Sequence, residues 1–250
     1  MVRCKKTKTP AVLLVLPVHN EVNEVSRITR AIRTFLAKNR NVSLRLVDDG
    51  SDDGTPEAFR HALRGVKNAS VMSLPRNGGK GRAVRLGLTG GRQDLWIFMD
   101  GDLAYDFNHL RPMVEALRQH DVVIGSRSMS PQPEGGLPAR RALLGWGFNR
   151  LACAWLGFNY PDTQAGLKGF RRAAGQKLFS CQKLDDFAFD AELLYLARKI
   201  GLKVGQIPAR VSGLHNYKTS QVKLTVDTLR CLLDFFRIRF WSWTGQYHHP

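Results

Sequence analysis

The stretch WIFMDGDLAYD, residues 96–106, joins an apolar run to two aspartates that stand one residue apart. The apolar run predicts a buried strand, which puts Asp100 and Asp102 at its carboxyl end, where open α/β sheets bind ligands. Their carboxylates are hard oxygen ligands that suit Mg²⁺ or Mn²⁺ beside a diphosphate. Because Asp and Gly are also common turn formers, a solvated turn explains the stretch better when it is taken alone. The surrounding sequence decides between the two interpretations.

On both sides of this stretch, the first half of the chain alternates strand-like apolar runs with amphipathic, helix-like runs. These runs span residues 12–18, 21–38, 42–47, 55–64, 70–74, 79–88, 95–99, 108–118 and 122–125. Such βα alternation predicts an α/β fold with a mostly parallel, Rossmann-like central sheet and helices on both faces. Thr55, Pro56 and Glu57 predict a helix that begins with Thr55 as its N-cap.

Polar segments also follow the first two predicted strands, as PVHNE at residues 17–21 and VDDGS at residues 47–51. Parallel strands bring both segments to the sheet edge that carries Asp100 and Asp102. A carboxylate at such an edge can accept hydrogen bonds from a base or a ribose, and a divalent ion neutralises a departing diphosphate. Turns and caps explain each segment separately, but they explain the convergence of three segments poorly.

A glycine-rich turn, NGGKGR at residues 77–82, leads into a predicted helix. It places backbone amides and the Lys80 ammonium where they can meet an anion. The GxxxxGK[ST] pattern of a P-loop is absent, so the turn predicts anion binding of a different kind.

The composition is that of a globular protein with a large excess of positive charge. The 250 residues are 43% hydrophobic and suffice for one large domain or two small ones. A net charge of +17 indicates a polyanionic partner, which is nucleic acid, an anionic membrane surface or a phosphorylated substrate. Nucleic acid is the weakest of these because no basic run is interleaved with aromatics. The four scattered cysteines predict reduced thiols.

Three segments bear on membrane association. Residues 1–18 begin like a signal peptide, but they lack a small-residue cleavage pattern and fit a first buried strand better. No apolar stretch reaches the roughly 18 residues of a membrane span, so we expect a soluble or peripheral protein. The predicted helices at residues 140–158 and 221–240 combine large apolar residues with arginines. In the second helix, apolar residues recur at spacings of four and three and form one apolar stripe, which consists of Val222, Val226, Leu229, Leu233, Phe236 and Phe240. Each of the two helices fits either an anionic membrane surface or packing on its own domain.

The ordered set of motifs resembles the inverting GT-A glycosyltransferases of glycosyltransferase family 2. These motifs are VLPVHNE, LVDDGSDDGT, RNGGKGRAVRLGL, FMDGDLAYD, VIGSR and DTQAGLKGFRR. Within that family the chain is most similar to the polyprenyl-phosphate sugar transferases, the dolichyl-phosphate glucosyltransferase and mannose synthase type. The resemblance covers residues 12–211. It implies a basic arm at residues 1–10, a GT-A catalytic domain at 11–213, and a C-terminal amphipathic helix and tail at 214–250.

The resemblance implies a nucleotide-sugar site and a divalent cofactor, Mg²⁺ or Mn²⁺. The implied nucleotide-sugar residues are Pro17, His19, Glu21, Val47, Asp49, Lys80, Asp100 and Gly101. Asp102 would hold the metal, assisted by Asp100. The sequence departs from the related patterns at two places, because Ala104 stands where the mannose synthase type has glutamine and His19 where the family usually has tyrosine. Asp106 or water would then complete the metal shell.

For the acceptor, the resemblance implies phosphate binding by Arg127, with Arg140 and Arg141 as further candidates. An acceptor phosphate is largely ionised near neutrality, so its oxygen can attack the anomeric carbon without a strong general base. A sugar hydroxyl would need a carboxylate base instead, for which Asp162 and Asp190 are the candidates. The related enzymes carry an acidic residue at the position of Asp162, which therefore has the greater weight.

We therefore expect an inverting transfer of a hexose from a UDP-glucose or GDP-mannose type donor to a polyprenyl phosphate, with the motifs leaning towards the glucosyl branch. The protein is expected to be cytoplasmic and peripheral on the cytoplasmic face of the membrane, bound to an anionic surface, with no nucleic-acid partner. A transferase acting on a sugar hydroxyl of a soluble or surface glycan is the alternative within the class. From another class, a basic nucleic-acid-binding module would explain the charge alone.

Overall fold

The computed structural model describes residues 9–130, 139–211 and 224–247, and it describes only the backbone at 139–146, 148 and 224–229. Most of the predicted basic arm therefore lies outside the described residues. The proline- and glycine-rich residues 131–138 and the boundary placed between residues 213 and 214 also lie outside the described residues.

The described residues contain a seven-stranded sheet with the strand order β3-β2-β1-β4-β6-β5-β7. The strands are β1 (Val12–Val18), β2 (Val42–Asp48), β3 (Ala69–Ser73), β4 (Leu95–Met99), β5 (Val122–Ser126), β6 (Leu167–Arg171) and β7 (Val204–Pro208). Only β6 runs antiparallel to its neighbours β4 and β5. The predicted α/β fold with a mostly parallel sheet is confirmed.

Helices cover both faces of the sheet, because successive strand residues point to opposite sides. They are α1 (Val25–Lys38), α2 (Thr55–Ala62), α3 (Lys80–Leu88), α4 (Leu110–Ala116), α5 (Ala139–Leu156), α6 (Arg172–Cys181), α7 (Phe189–Lys199) and α8 (Leu224–Trp243). On one face Leu14 and Ile97 pack against α1, α2 and α4. On the other, Val15 and Phe98 belong to a core that includes α3, α6, α7 and α8.

The start of α2 differs from the sequence prediction. Thr55 is the first helical residue, and the N-cap is Gly54, which has a left-handed φ of 85°. The side chain that accepts a hydrogen bond from the start of the helix is that of Asp53, whose Oδ1 accepts the Thr55 N–H at 2.9 Å. The Thr55 hydroxyl instead accepts the Glu21 N–H at 2.8 Å, so it joins the loops that follow β1 and β2.

The face of α8 that packs on the domain is not the apolar stripe that the sequence analysis singled out. Cys231, Phe235 and Ile238 are buried, whereas Leu233 and Phe236 of the predicted stripe are 54% and 55% exposed. The prediction missed this because α8 has two apolar faces, and periodicity alone does not tell which one is covered.

Two further findings concern cysteines and membrane spans. Cys153 is a buried free thiol. Over the ranges that the structure describes, no helix combines the length and the apolar character needed to cross a bilayer.

Candidate functional site

The carboxyl ends of β1, β2 and β4 meet at one edge of the sheet, as predicted. Asp48 pairs with Val18 in the parallel register, and the Asp49 N–H donates to the Val18 carbonyl at 2.9 Å. Gly101 is buried against β1, where an added Cβ would lie 2.2 Å from the Pro17 carbonyl oxygen. We call the space beside this edge the donor crevice, after the nucleotide-sugar donor that the sequence resemblance leads us to expect there, and its loops carry His19, Asp49, Asp100 and Asp102.

The loops after β1 and β2 are tied to each other by side chains. Asp48 accepts hydrogen bonds from the Ser51 hydroxyl and N–H, and the Ser51 hydroxyl in turn accepts the Asn20 N–H at 2.8 Å. Asn20 has a left-handed φ of 55°, which asparagine tolerates better than most residues. These bonds hold the backbone on both sides of His19 in place.

Asp49 orders the glycine-rich turn that precedes α3. Its two carboxylate oxygens accept the N–H groups of Gly78 and Gly79 at 2.9 and 2.8 Å. Burial raises the pKa of Asp49, although these N–H groups oppose the shift. A carboxylate can accept about four hydrogen bonds, so Asp49 keeps acceptor capacity for a ligand.

The turn itself requires glycine because backbone lies directly against it. Gly79 has a φ of 93°, and a Cβ there would lie 2.5 Å from the Asp185 carbonyl oxygen. Across the crevice, Asn77 Nδ2 lies 3.1 Å from Nε2 of His19. The other ring nitrogen of His19, Nδ1, is buried and has no hydrogen-bond partner among the described residues.

A row of alternating charges runs inward from the donor crevice. Lys80 Nζ lies 2.6 Å from Asp100 Oδ1 and 4.0 Å from Asp190 Oδ2. Behind it, the fully buried Lys168 lies 2.5 Å from the other oxygen of Asp190. Burial lowers the pKa of Lys80, but the charges of Asp100 and Asp190 outweigh it and raise that pKa. The row therefore gives Asp100 a counter-ion within the protein.

Asp190 thus occupies a different setting from that of a general base. Its side chain is 3% exposed and lies between two lysines. Lys168, the inner partner, was not a predicted site residue. Lys168 lies inside β6, which is flanked by β4 and β5. A lysine at such a position indicates a buried ion pair, because lysines are almost never fully buried without a carboxylate partner.

Asp102 lies in a second acidic cluster at the mouth of the crevice. Its Oδ1 accepts the Ala104 N–H at 2.9 Å, and its backbone carbonyl accepts a hydrogen bond from Arg27 Nη2 at 2.7 Å. Burial and, next in size, the charge of Asp102 raise the pKa of Glu21 to about 7. Two carboxyl groups therefore lie close together here, and Glu21 takes up a proton more readily than an isolated glutamate does.

The donor set suits a hard divalent cation that also binds phosphate. Among the described residues, no group of three or more His, Cys, Asp or Glu side chains is arranged to hold a metal ion. Mg²⁺ is commonly held by one or two carboxylates together with substrate phosphates, which fits the pair Asp100 and Asp102. Asp106, which the sequence analysis named beside water as a candidate to complete the metal shell, caps the short 3-10 turn Phe107–His109 by accepting the Asn108 N–H at 2.7 Å.

Arg127 and Asp162, both predicted as catalytic residues, form a bidentate ion pair. Arg127 Nε and Nη2 donate to the two oxygens of Asp162 at 2.7 Å each, and the Arg127 backbone N–H donates at 3.0 Å. Burial alone would raise the pKa of Asp162, but the hydrogen bonds from Arg127 hold it below its ordinary value. A carboxylate held in this way is a weak base.

The comparisons with known proteins decide the family. Residues 13–179, about two thirds of the chain, match the family described as glycosyl transferase family 2. The chain belongs to glycosyl transferase family 2. The predicted family resemblance is therefore confirmed.

Curated relatives of this family 2 enzyme include dolichyl-phosphate beta-glucosyltransferases. The Trichomonas vaginalis protein is 27% identical over 247 residues, which cover 92% of this chain and 75% of the relative. The human protein is 26% identical over 251 residues, covering 94% and 72%.

A solved structure with the same fold is glucosyl-3-phosphoglycerate synthase from Mycobacterium tuberculosis in complex with Mn²⁺, uridine-diphosphate and phosphoglyceric acid. It aligns with a TM-score of 0.62 at 17% identity and covers 90% of this chain and 78% of that one. The likeness bears out the predicted GT-A fold.

The remaining predicted residues of this family 2 enzyme have different settings. Pro17 is half-buried at the end of β1. The Val47 side chain is fully buried in the core and is therefore not accessible to a nucleotide, contrary to the predicted contact. Arg140 and Arg141 belong to α5, but their side chains lie outside the described residues, and their role stays a prediction.

Tyr105 is a residue of the site that the sequence analysis missed. It is 2% exposed, burial raises the pKa of its hydroxyl, and Arg127, Asp100 and Asp162 all act on it electrostatically. It therefore lies between the donor crevice and the Arg127–Asp162 pair. The signal was its place in DLAYD, directly after the aspartates.

Proposed function

We propose that this family 2 glycosyltransferase transfers a hexose from a nucleotide sugar to the phosphate of a polyprenyl phosphate. The dolichyl-phosphate beta-glucosyltransferases that it matches over more than nine tenths of its length support the acceptor class and favour a UDP-glucose type donor. The crevice supplies the matching chemistry, because Asp49, Lys80, Asp100 and Asp102 meet where open sheets bind nucleotides.

On the donor side, the proposal gives separate tasks to the loops of the crevice. Asp49 and His19 would contact the base and ribose, while Lys80 and the amides at the start of α3 would contact the diphosphate. Asp102 and Asp100 would hold Mg²⁺ or Mn²⁺. When bound, such an ion neutralises the diphosphate as it leaves.

The observation that carries the choice of acceptor is the state of the two candidate bases. Asp162 is held ionised by Arg127, with a lowered pKa, and Asp190 is buried between two lysines. Neither is suited to take a proton from a sugar hydroxyl. An acceptor phosphate needs no such base, since its oxygen is already ionised and attacks the anomeric carbon opposite the departing nucleotide.

The proposal also includes a place of action. A polyprenyl phosphate resides in a bilayer with its phosphate at the surface, so the crevice must open towards a membrane. We propose that the enzyme works as a peripheral protein on the cytoplasmic face and that its net charge of +17 favours an anionic surface. Arg140 and Arg141 would meet the acceptor phosphate there through bidentate contacts, and Arg127 would contribute the Nη1 donors that its pair with Asp162 does not use.

A donor and acceptor panel tests the proposed function. UDP-glucose and GDP-mannose are each offered with polyprenyl phosphate or with a glycan that carries free hydroxyls, with Mn²⁺, with Mg²⁺ or with chelator. We expect a glycolipid from polyprenyl phosphate that requires the ion. Product on the glycan alone would support the hydroxyl-acceptor alternative. Tight, steeply salt-dependent nucleic-acid binding without nucleotide-sugar affinity would contradict the enzyme proposal altogether.

A further inference from the structure

The C-terminal helix α8 carries a row of large apolar side chains that nothing in the described structure covers. Leu233, Phe236, Phe240 and Trp243 are 54%, 55%, 56% and 68% exposed. Their spacings of three, four and three residues put them on one side of the helix along about 15 Å. We call these four residues the outer stripe. Contiguous exposed apolar patches of this kind mark interaction surfaces.

The outer stripe continues onto α5, so the surface spans two helices. The Trp155 ring lies 4.3 Å from that of Phe236 between centroids, and Leu151 on the same helix is 53% exposed. The Trp155 indole N–H donates to the Phe235 carbonyl at 3.0 Å, which fixes the ring between α5 and α8. The apolar surface is therefore held by packing and not by one flexible side chain.

A basic cleft borders this surface. It has a volume of about 300 Å³ and is lined by Leu156, Tyr195, Arg198, Lys199 and Arg239. Within the part of the chain that the structure describes, none of its three cations has a carboxylate oxygen within 4.0 Å. The Nε atom of Arg239 is buried and has no hydrogen-bond partner among those residues. The cleft thus concentrates positive charge without an internal counter-ion.

The two arginines of the cleft are positioned by the end of α5, and Lys199 donates to the Ser242 hydroxyl of α8 at 2.9 Å. Arg198 and Arg239 each donate one hydrogen bond, at 3.4 and 3.2 Å, to carbonyl groups in the last turn of that helix. Cations are favourable at a helix carboxyl end. The guanidinium of Arg239 also lies 5.1 Å from the centroid of Trp243, which joins the cleft to the outer stripe. Each arginine uses one nitrogen in these bonds, so other donors remain for an anion.

The cleft is separate from the donor crevice. Asp190 lies in the first turn of α7 and Arg198 in its last turn. At a rise of about 1.5 Å per residue, the two ends are roughly 12 Å apart along the helix. The cations of the cleft therefore do not belong to the diphosphate site.

We propose that the outer stripe and the basic cleft together dock the enzyme on a bilayer that contains anionic phospholipids. The lipid phosphates would lie in the cleft, and the outer stripe would enter the boundary between headgroups and acyl chains. The charge favours this occupant, because the three cations of the cleft and the exposed Arg230 flank the outer stripe in a protein of net charge +17, whereas the exposed Arg237 is paired with Asp234 at 2.9 Å. The proposal deepens the proposed action on a polyprenyl phosphate, but its test needs no substrate.

Sedimentation with vesicles tests the proposal. The vesicles are phosphatidylcholine alone or phosphatidylcholine with phosphatidylserine, at moderate salt. We expect the wild-type protein to sediment only with the anionic vesicles. The double variant Arg198→Gln/Lys199→Gln should bind them about 30-fold more weakly, since each charge near an anionic surface contributes a factor of about five. Phe240→Ser/Trp243→Ser should weaken binding by about tenfold or more.

A matched control has the same loss of charge on the other face of the sheet. Arg30 and Lys38 are exposed on α1, and Arg30→Gln/Lys38→Gln should change binding by about twofold at most. Thermal unfolding verifies that all variants are folded. Equal losses in the control and the cleft variant, or no sedimentation of the wild type, would overturn the proposal. So would a concentration-dependent dimer that Phe240→Ser/Trp243→Ser abolishes, since a second copy would then cover the outer stripe.

A detergent assay separates this proposal from the proposed function. With polyprenyl phosphate dissolved in detergent, Arg198→Gln/Lys199→Gln should transfer hexose at the wild-type rate. Loss of vesicle binding with retained transfer is the expected result. Loss of transfer in detergent would mean that the cleft serves the reaction, and it would overturn the assignment of the cleft to docking.

Discussion

In the donor crevice, Lys80 and Lys168 each lie within 2.6 Å of a carboxylate oxygen, whereas Arg198 and Lys199 of the basic cleft have no described carboxylate within 4.0 Å. In the row that runs inward from the crevice, each lysine is thus matched by a carboxylate, and a cation that binds Asp100 must compete with Lys80. The cleft keeps its charge for a partner outside the protein. On the two proposals made above, paired cations organise the donor site, while unpaired cations attract the enzyme to an anionic membrane surface.

The largest expected effect lies at the buried end of the charge row. Lys168→Met leaves the buried Asp190 carboxylate with Lys80 as its remaining described partner, 4.0 Å away. We therefore expect the free energy of unfolding to fall by about 3–5 kcal/mol. Urea unfolding measures the change. Arg198→Met in the cleft is the matched control and should cost less than about 0.5 kcal/mol. If both substitutions lowered the free energy of unfolding by similar amounts, the proposed difference between paired and unpaired cations would be wrong.

A second prediction concerns Asp162 and its pH dependence. Its pKa in the folded protein is lowered by Arg127, so ionised Asp162 stabilises the fold above the unfolded pKa of about 3.9. That contribution is lost as the pH falls through the folded pKa. The difference in unfolding free energy between wild type and Asp162→Asn should therefore be largest near neutrality and shrink below about pH 4. A difference that does not change with pH would contradict the ion pair.

The same variant addresses the acceptor. If the acceptor is a phosphate, Asp162→Asn removes only a partner of Arg127, and transfer should fall by about tenfold. If the acceptor is a hydroxyl, loss of a general base should nearly abolish transfer while donor binding is retained. Single-turnover rates with saturating donor distinguish the two results.

The smallest expected effect concerns Lys80 as the counter-ion of Asp100. Removal of its charge by Lys80→Met should strengthen Mn²⁺ binding to the nucleotide-free protein by about fivefold, because a cation 2.6 Å from Asp100 competes with the metal. Asp190 keeps Lys168 at 2.5 Å, so this substitution leaves no buried carboxylate unpaired. Binding of UDP should weaken at the same time.

Titration of Mn²⁺ followed by electron paramagnetic resonance measures the metal affinity directly. Lys80→Arg keeps the charge and serves as the control, so its Mn²⁺ affinity should stay close to that of the wild type. Unchanged or weaker Mn²⁺ binding by Lys80→Met would show that Lys80 does not compete with the metal ion for Asp100.

The sequence was informative where local patterns determine structure. Apolar runs that end in PVHNE, VDDGS and DGD predicted the sheet edge and most residues of the crevice, because strand ends depend on nearby residues. Pairings across long separations were not predictable in this way. Arg127 and Asp162 are 35 residues apart, and Lys168 and Asp190 are 22 apart. Both pairs depend on how the strands and helices are placed in space.

The surface of α8 shows a second limit of sequence patterns. The buried residues Phe235 and Ile238 and the exposed residues Phe236 and Phe240 are all large and apolar. Periodicity identified a helix with an apolar stripe, but tertiary packing selected the other face for the core. The same ambiguity explains why packing on the domain and membrane docking both fitted the sequence. In the structure, one helix has a separate face available for each.

The most direct test of the central claim is transfer of labelled glucose from UDP-glucose to a polyprenyl phosphate by wild type and Asp102→Asn, with Mn²⁺ present. The account predicts glycolipid from the wild type and a rate about 10²- to 10³-fold lower from the variant, because the carboxylate that holds the ion at the diphosphate is lost. Asp94→Asn, at the opposite end of β4, alters only an acceptor for the Ala11 N–H and should stay within a few-fold of wild type. Equal rates for Asp102→Asn and wild type would contradict the account.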